Sequence, residues 1–122
     1  MFNTLVLGAS EKPDRYSYLA TEMLMHSGYT VYALGTKKGW IGSTEIHLDW
    51  PKPGSIDTLT VYINPARLRP MLNDILLLHP RRVIFNPGTE DDALASTLSH
   101  AGIHIVEACT LVLLRTNQYE QA

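Results

Sequence analysis

Short apolar runs alternate with longer amphipathic stretches along the whole chain. Five runs, at residues 4–7, 30–34, 58–63, 82–85 and 103–106, are rich in β-branched or aromatic residues and bounded by Gly, Pro, Asn or Asp. They read as strands. Their near-continuous apolarity, without clean alternation, predicts parallel pairing with both faces of the sheet covered. Between them lie helical segments. Residues 15–27 carry Leu19, Met23 and Leu24 on one stripe, with Gly28 as a stop. Asn64-Pro65 predicts a helix start, with Asn at the N-cap and Pro at the first helical position, running to about Leu78 before His79-Pro80. A third helix is expected with Thr89 as its cap and Asp92 three residues on, ending at Gly102, and a last short one over 111–115. The stretch 35–55 is irregular, with 45–48 as a possible extra edge strand. The order is β-α-β-loop-β-α-β-α-β, and parallel neighbours need crossovers of this length. The pattern therefore predicts an α/β, doubly wound, mainly parallel five- to six-stranded sheet with helices on both faces.

The 122 residues suit a single domain, 1–122, and 45% hydrophobic content is enough to bury a core. The net charge of −2 supplies no global field for nucleic acid or an anionic membrane. Arg67, Arg69, Arg81 and Arg82 form the one other basic group, and Arg81-Arg82 precede a strand, so they are expected to be solvated at the edge away from the ligand loops. No apolar run approaches the roughly 20 residues of a membrane span, and the first residues lack the pattern of a signal peptide. Cys109 is the only cysteine, so no intrachain disulfide forms and a cytoplasmic location is expected.

Candidate chemistry concentrates at the carboxyl ends of the strands, where open α/β sheets bind ligands. The first such loop, residues 8–17, begins Gly8-Ala9-Ser10 and opens a helix. A Gly-led turn into a helix N-terminus offers free N–H groups and a positive dipole end to an anion, and Arg15, Ser10 and Ser17 add donors. The same residues also fit a tight turn capped by a serine. At the end of the second strand, NAD-binding sheets usually carry Asp or Glu for the ribose diol, whereas Leu34-Gly35-Thr36-Lys37-Lys38 is basic. That favours a ligand with a ribose phosphate, coenzyme A or NADP, over plain NAD; two solvated turn lysines are the other reading. Asn64-Pro65 is explained by helix capping. Asn86-Pro87-Gly88 offers a donor, an acceptor and a close backbone approach.

Taken in order, Val6-Leu7-Gly8-Ala9-Ser10 with Lys12-Pro13, Arg15-Tyr16-Ser17, Gly28-Tyr29, Leu34-Gly35, Asn64-Pro65, Asn86-Pro87-Gly88-Thr89-Glu90 and Ala108-Cys109-Thr110 resemble the small stand-alone CoA-binding proteins. These are similar to the N-terminal, CoA-binding domain of the succinyl-CoA synthetase α subunit. The resemblance spans essentially the whole chain and rests on the order and spacing of the motifs. It implies a Rossmann-like sheet binding CoA or an acyl-CoA. The pyrophosphate would lie over Gly8, Ala9, Ser10, Pro13, Arg15, Tyr16 and Ser17. The adenosine 3′-phosphate would lie near Gly35, Lys37 and Lys38, with Asn64, Pro65, Asn86, Pro87 and Gly88 lining the rest. The chain departs from the synthetases in carrying Ser10-Glu11 where they have further glycines.

The synthetase chemistry needs a phosphorylated histidine on a second domain, so the expectation is a non-catalytic binding module. His26 and His79 fall at helix ends, and Gly102 separates His100 from His104, so no metal pair is expected. Two other classes are open. An enzyme of thiol or acyl chemistry would use Cys109, with Glu107 beside it as a candidate base, although no His or Lys adjoins the thiol. An interaction protein, pairing with a second copy or a partner, would use Trp40 and Trp50; the same two aromatics also suit covering the sheet.

Overall fold

The computed structural model describes residues 2–122. Strands β1 (Thr4–Leu7), β2 (Val31–Leu34), β3 (Gly39–Ile41), β4 (Thr44–His47), β5 (Thr58–Val61), β6 (Arg82–Phe85) and β7 (His104–Glu107) form one sheet in the order β3-β4-β2-β1-β5-β6-β7. All neighbours are parallel except β3 and β4, which pair antiparallel. The fold class is as the apolar pattern predicts, with more strands. The sheet has seven strands where five to six were expected, because the irregular stretch folds back on itself through Gly42-Ser43. The expected edge strand β4 is thereby covered by β3.

Strand order reverses at β1. The chain builds outward through β2 and β4, returns to β5 on the other side of β1, and continues to β6 and β7. The carboxyl ends of β1 and β5 are thus adjacent where the following loops diverge, which opens a crevice at that edge.

Alternation along the strands makes two cores. Leu5, Leu7, Leu59, Val61, Val83 and Phe85 face one side and pack with Leu68, Ile75, Leu78, Leu94 and Leu98. Val6, Ala33 and Ile84 face the other and pack with Leu24 of α1 (Tyr16–His26) and Leu113 of α5 (Thr110–Arg115). Both faces are apolar, which is why the runs read as continuous.

Three helix details differ from expectation. The helix after Asn64 is broken into α2 (Pro65–Leu68), a 3₁₀ turn at Arg69–Met71 and α3 (Leu72–Leu78). Pro70 lacks an N–H and its ring crowds the carbonyl four residues earlier, so a continuous helix cannot pass it. The start of α4 (Asp92–His100) is capped by Asp91, whose Oδ1 accepts from the N–H groups of Ala93 and Leu94; Thr89 instead donates its hydroxyl to the Asn86 carbonyl at 2.8 Å. The last helix begins one residue early, at Thr110.

The expectation that Arg81 and Arg82 are both solvated holds only for Arg81, which pairs with Asp57 at 2.8 Å. Arg82 is 0% exposed. Its Nε donates to the Thr58 hydroxyl at 2.8 Å, and its Nη1 donates to the carbonyls of Tyr119 and Ala122 at 2.5 and 2.9 Å. The guanidinium lies 4.4 Å from the Tyr119 ring centroid, a cation–π contact. The last residues fold over the start of β6, and a strand-initial arginine gives no local sign of that. Arg82→Ala leaves two carbonyls and a hydroxyl without their donor and opens a cavity. The expected loss of stability is about 3 kcal/mol, read from the midpoint and slope of urea unfolding; a loss below about 1 kcal/mol would show that this arginine is not a structural anchor.

Candidate functional site

The loop after β1 is held tightly between the ends of β2 and β5. The N–H groups of Gly8 and Ala9 both donate to the Leu34 carbonyl, at 2.9 and 3.0 Å. Gly8 has φ +98, and a Cβ there would stand 2.8 Å from Cγ2 of Ile63. Gly35 meets the loop from the other side: a Cβ on it would lie 2.5 Å from the Ala9 carbonyl oxygen. Neither position has room for a side chain, so both glycines are dictated by close approach.

Beyond this pinch the loop turns outward. Ser10 Oγ accepts from the Lys12 N–H at 3.1 Å, and the Arg15 N–H donates to the Lys12 carbonyl at 3.1 Å. Ser10 therefore serves the turn and does not cap the helix. Arg15 is the N-cap residue of α1, with extended backbone, no side-chain cap and no acidic residue in the first turn. The first N–H groups of an α-helix have no acceptor within the helix, and the dipole makes that end positive. In this chain no side chain caps them.

A cleft of about 590 Å³ lies over this helix end. Of the residues expected at the site, Gly8, Ala9, Ser10, Arg15, Tyr16, Ser17, Lys37 and Pro87 line it. Sequence reasoning did not single out Glu11, Lys12, Thr36, Tyr62, Ile63, Arg67 and Thr89, which line it too. Glu11 and Lys12 sit within the quoted first loop. Arg67 is three residues past the helix-capping Asn64, a position that only the turn of α2 brings to the cleft. The lining contains four cations, Lys12, Arg15, Lys37 and Arg67, against one carboxylate. That carboxylate, Glu11, accepts from the Trp40 N–H at 2.9 Å and so ties β3 to the loop.

Beside the cleft is a second cavity of about 320 Å³, lined mostly by apolar groups: Leu7, Leu34, Leu48, Trp50, Ile63 and Met71, with Gly8, Gly35, Thr36 and Arg67. Gly35 belongs to this cavity. The two tryptophans divide: Trp50 packs on the core beneath it, while Trp40 on β3 is 58% exposed.

Pro13, Lys38, Asn64, Pro65, Asn86 and Gly88 line neither cavity. Pro13, Lys38 and Gly88 are exposed nearby. Asn64 caps α2, its Oδ1 accepting from the Arg67 N–H at 2.9 Å. Asn86, expected to offer its amide to a ligand, is 2% exposed and uses it inside the fold. Its Nδ2 donates to the Thr60 hydroxyl and the Val61 carbonyl, at 2.7 and 2.8 Å, and its Oδ1 accepts from the Thr110 N–H at 2.9 Å. It joins β5, β6 and α5 below the cleft.

Cys109 is half-buried at the N-cap of α5 and lines neither cavity. The hydroxyl of Tyr62, which lines the cleft, is buried without a hydrogen-bond partner among the described residues. Burial pushes that phenol well above its usual range, so it stays protonated. Among the described residues, no group of three or more His, Cys, Asp or Glu could hold a metal, and no helix is long and apolar enough to cross a membrane.

A family model described as a CoA binding domain matches residues 3–115. Among solved structures, the chain is 44% identical to a crystal structure of an uncharacterized protein, covering 97% of this chain and 98% of that one with a TM-score of 0.92. It is 26% identical to cell-free ID.343 from Thermus thermophilus, covering 95% and 89% with a TM-score of 0.82. The dinucleotide-forming acetyl-coenzyme A synthetase 1 of Ca. Korarchaeum cryptofilum shares the fold at 13% identity, over 88% of this chain and 25% of that one, with a TM-score of 0.72. No curated protein matches the sequence.

The pinch at Gly35 has a measurable consequence. Gly35→Ala forces the added methyl against the Ala9 carbonyl, so the loop must move. The expected cost is about 1–3 kcal/mol of folding stability, read by chemical denaturation, and unchanged stability would refute the close approach.

Proposed function

The chain belongs to the CoA-binding domain family, and from that premise we propose that its cleft binds coenzyme A or an acyl-CoA as a non-catalytic cofactor-binding or regulatory module. The observation that carries this reading is the uncapped N-terminus of α1 opening into a cleft with four cations and one already engaged carboxylate. Coenzyme A carries a diphosphate and a separate ribose phosphate. A cleft for plain NAD needs to neutralise only the diphosphate. The excess of positive groups matches the more highly charged ligand.

The proposed placement is guided by shape. The diphosphate sits over Gly8, Ala9 and Ser10 at the start of α1, where Arg15 and Ser17 add donors. The adenine enters the adjoining apolar cavity between Leu34, Leu48, Trp50 and Met71. The pantetheine arm leaves along the cleft past Tyr62, Pro87 and Thr89. Asn86 contributes by holding the wall of that path, and Gly88 and Asn64 shape its rim.

A binding role without chemistry fits the position of Cys109 outside both cavities.

Isothermal calorimetry with CoA, acetyl-CoA, NADP and NAD tests the reading. CoA and acetyl-CoA are expected to bind alike and at least about tenfold more tightly than NAD, the worth of one additional charge-assisted contact. Affinity should fall as salt rises. Acetyl-CoA is expected back intact after long incubation. No heat with CoA at millimolar concentration overturns the proposal, tighter binding of NADP replaces it with a dinucleotide reading, and thioester loss abolished by Cys109→Ser would make the protein an enzyme.

A further inference from the structure

The cleft and the apolar cavity are not separate: Gly8, Thr36, Ile63 and Arg67 line both and form the wall where they meet. Arg67 is the one charged residue of the four. A nucleotide with its diphosphate at the start of α1 and its base in the apolar cavity must lay its ribose across this wall, because the ribose joins the two. A phosphate monoester on that ribose therefore emerges beside Arg67.

Local structure leaves Arg67 free for this. Its N–H is held by Asn64 Oδ1 at 2.9 Å, which fixes the backbone of α2. Its side chain is exposed and has no carboxylate partner among the described residues, whereas Arg69, on the same segment, is paired with Asp91 at 2.8 Å. The lysines that the sequence pattern favoured are placed less well: Lys37 lines the cleft alone, and Lys38 lines neither cavity. A guanidinium also presents paired N–H donors that match two phosphate oxygens, which a single ammonium cannot do.

We propose that Arg67, with Thr36 on the same wall, is the specificity-determining residue that selects a ribose-phosphorylated adenine nucleotide. The proposal rests on the CoA reading above and assigns one residue within it. The shared chemistry is a phosphate monoester on the adenosine ribose, at the 3′ position in CoA and the 2′ position in NADP.

The test is calorimetry on the full chain with CoA and dephospho-CoA, which differ only by that phosphate, and with NADP and NAD as a second pair. The wild-type chain is expected to prefer CoA over dephospho-CoA by roughly 10- to 100-fold, the range of one to two charge-assisted hydrogen bonds. Arg67→Gln should bring that ratio close to one while dephospho-CoA affinity stays unchanged. Arg67→Lys should restore part of the ratio, and Lys38→Met should leave it as in the wild type. Thermal unfolding of Arg67→Gln should match the wild type, since only main-chain atoms of Arg67 support the fold. The pair that shows the larger ratio identifies the 3′ or the 2′ ester. Equal weakening of CoA and dephospho-CoA by Arg67→Gln would overturn the proposal and leave the CoA reading standing, as would a ratio that survives the substitution or passes to Lys37→Met. A wild-type chain that binds neither nucleotide removes the CoA reading and this assignment together.

Discussion

The site depends on a backbone crossing too tight for side chains. The loop leaving β1 passes between the ends of β2 and β5, and it can do so only because Gly8 and Gly35 carry no Cβ. Two consecutive N–H groups, of Gly8 and Ala9, fasten it to one carbonyl, that of Leu34. From that fixed point the chain has seven residues, 9 to 15, in which to turn and start α1. The direction of the helix N-terminus, and so of its positive end, follows from the crossing. The crossing in turn exists because strand order reverses at β1, which brings β2 and β5 to its two sides.

Charge is arranged around that geometry. Two charges 4 Å apart interact by only about 1 kcal/mol in bulk water, so scattered surface lysines decide little. Convergence in a partly enclosed cleft, beside a helix end with unpaired N–H groups, is what makes the four cations significant. Glu11 could weaken such a field. Its carboxylate instead takes the Trp40 N–H, and a Cβ on the neighbouring Gly39 would collide with it at 2.2 Å. The acid thus acts as a strut between the loop after β1 and the β3–β4 hairpin. A net charge of −2 for the chain conceals this local excess.

The strands were legible because buried parallel strands demand apolar, β-branched residues on both faces, and little else in a chain this size looks like that. The first loop was legible for a related reason, since glycine at a strand-to-helix junction reports a steric need. Side-chain roles set by distant partners were not legible. Asn86 reads from its neighbours as a ligand group, yet Thr60, Val61 and Thr110 take up its amide. Arg82 reads as solvated and is buried by residues 37 and 40 positions later. Arg67 reads as one of several surface arginines until the 3₁₀ turn at Pro70 and the cap at Asn64 fix α2 against the cleft. Asp91 outcompetes Thr89 as cap because the Asn86 carbonyl has already claimed the threonine hydroxyl.

The same distinction bears on the proposal of a binding role over thiol chemistry. A cysteine at a strand-to-helix junction resembles a nucleophile in sequence, but nucleophilic thiols need a group that takes their proton. Tyr62 does not serve, since burial keeps its phenol protonated and so withholds the phenolate that would act as a base. Glu107 is exposed at the end of β7, whereas Cys109 is half-buried at the N-cap of α5. The Thr60–Thr110 hydroxyl contact at 2.8 Å and the Asn86 bond to the Thr110 N–H hold the start of α5 as part of the floor beneath the cleft. In that setting Cys109 is a small side chain at the edge of a packed joint, and Thr60, Asn86 and Thr110 beside that joint are hydrogen-bonded to one another within the fold.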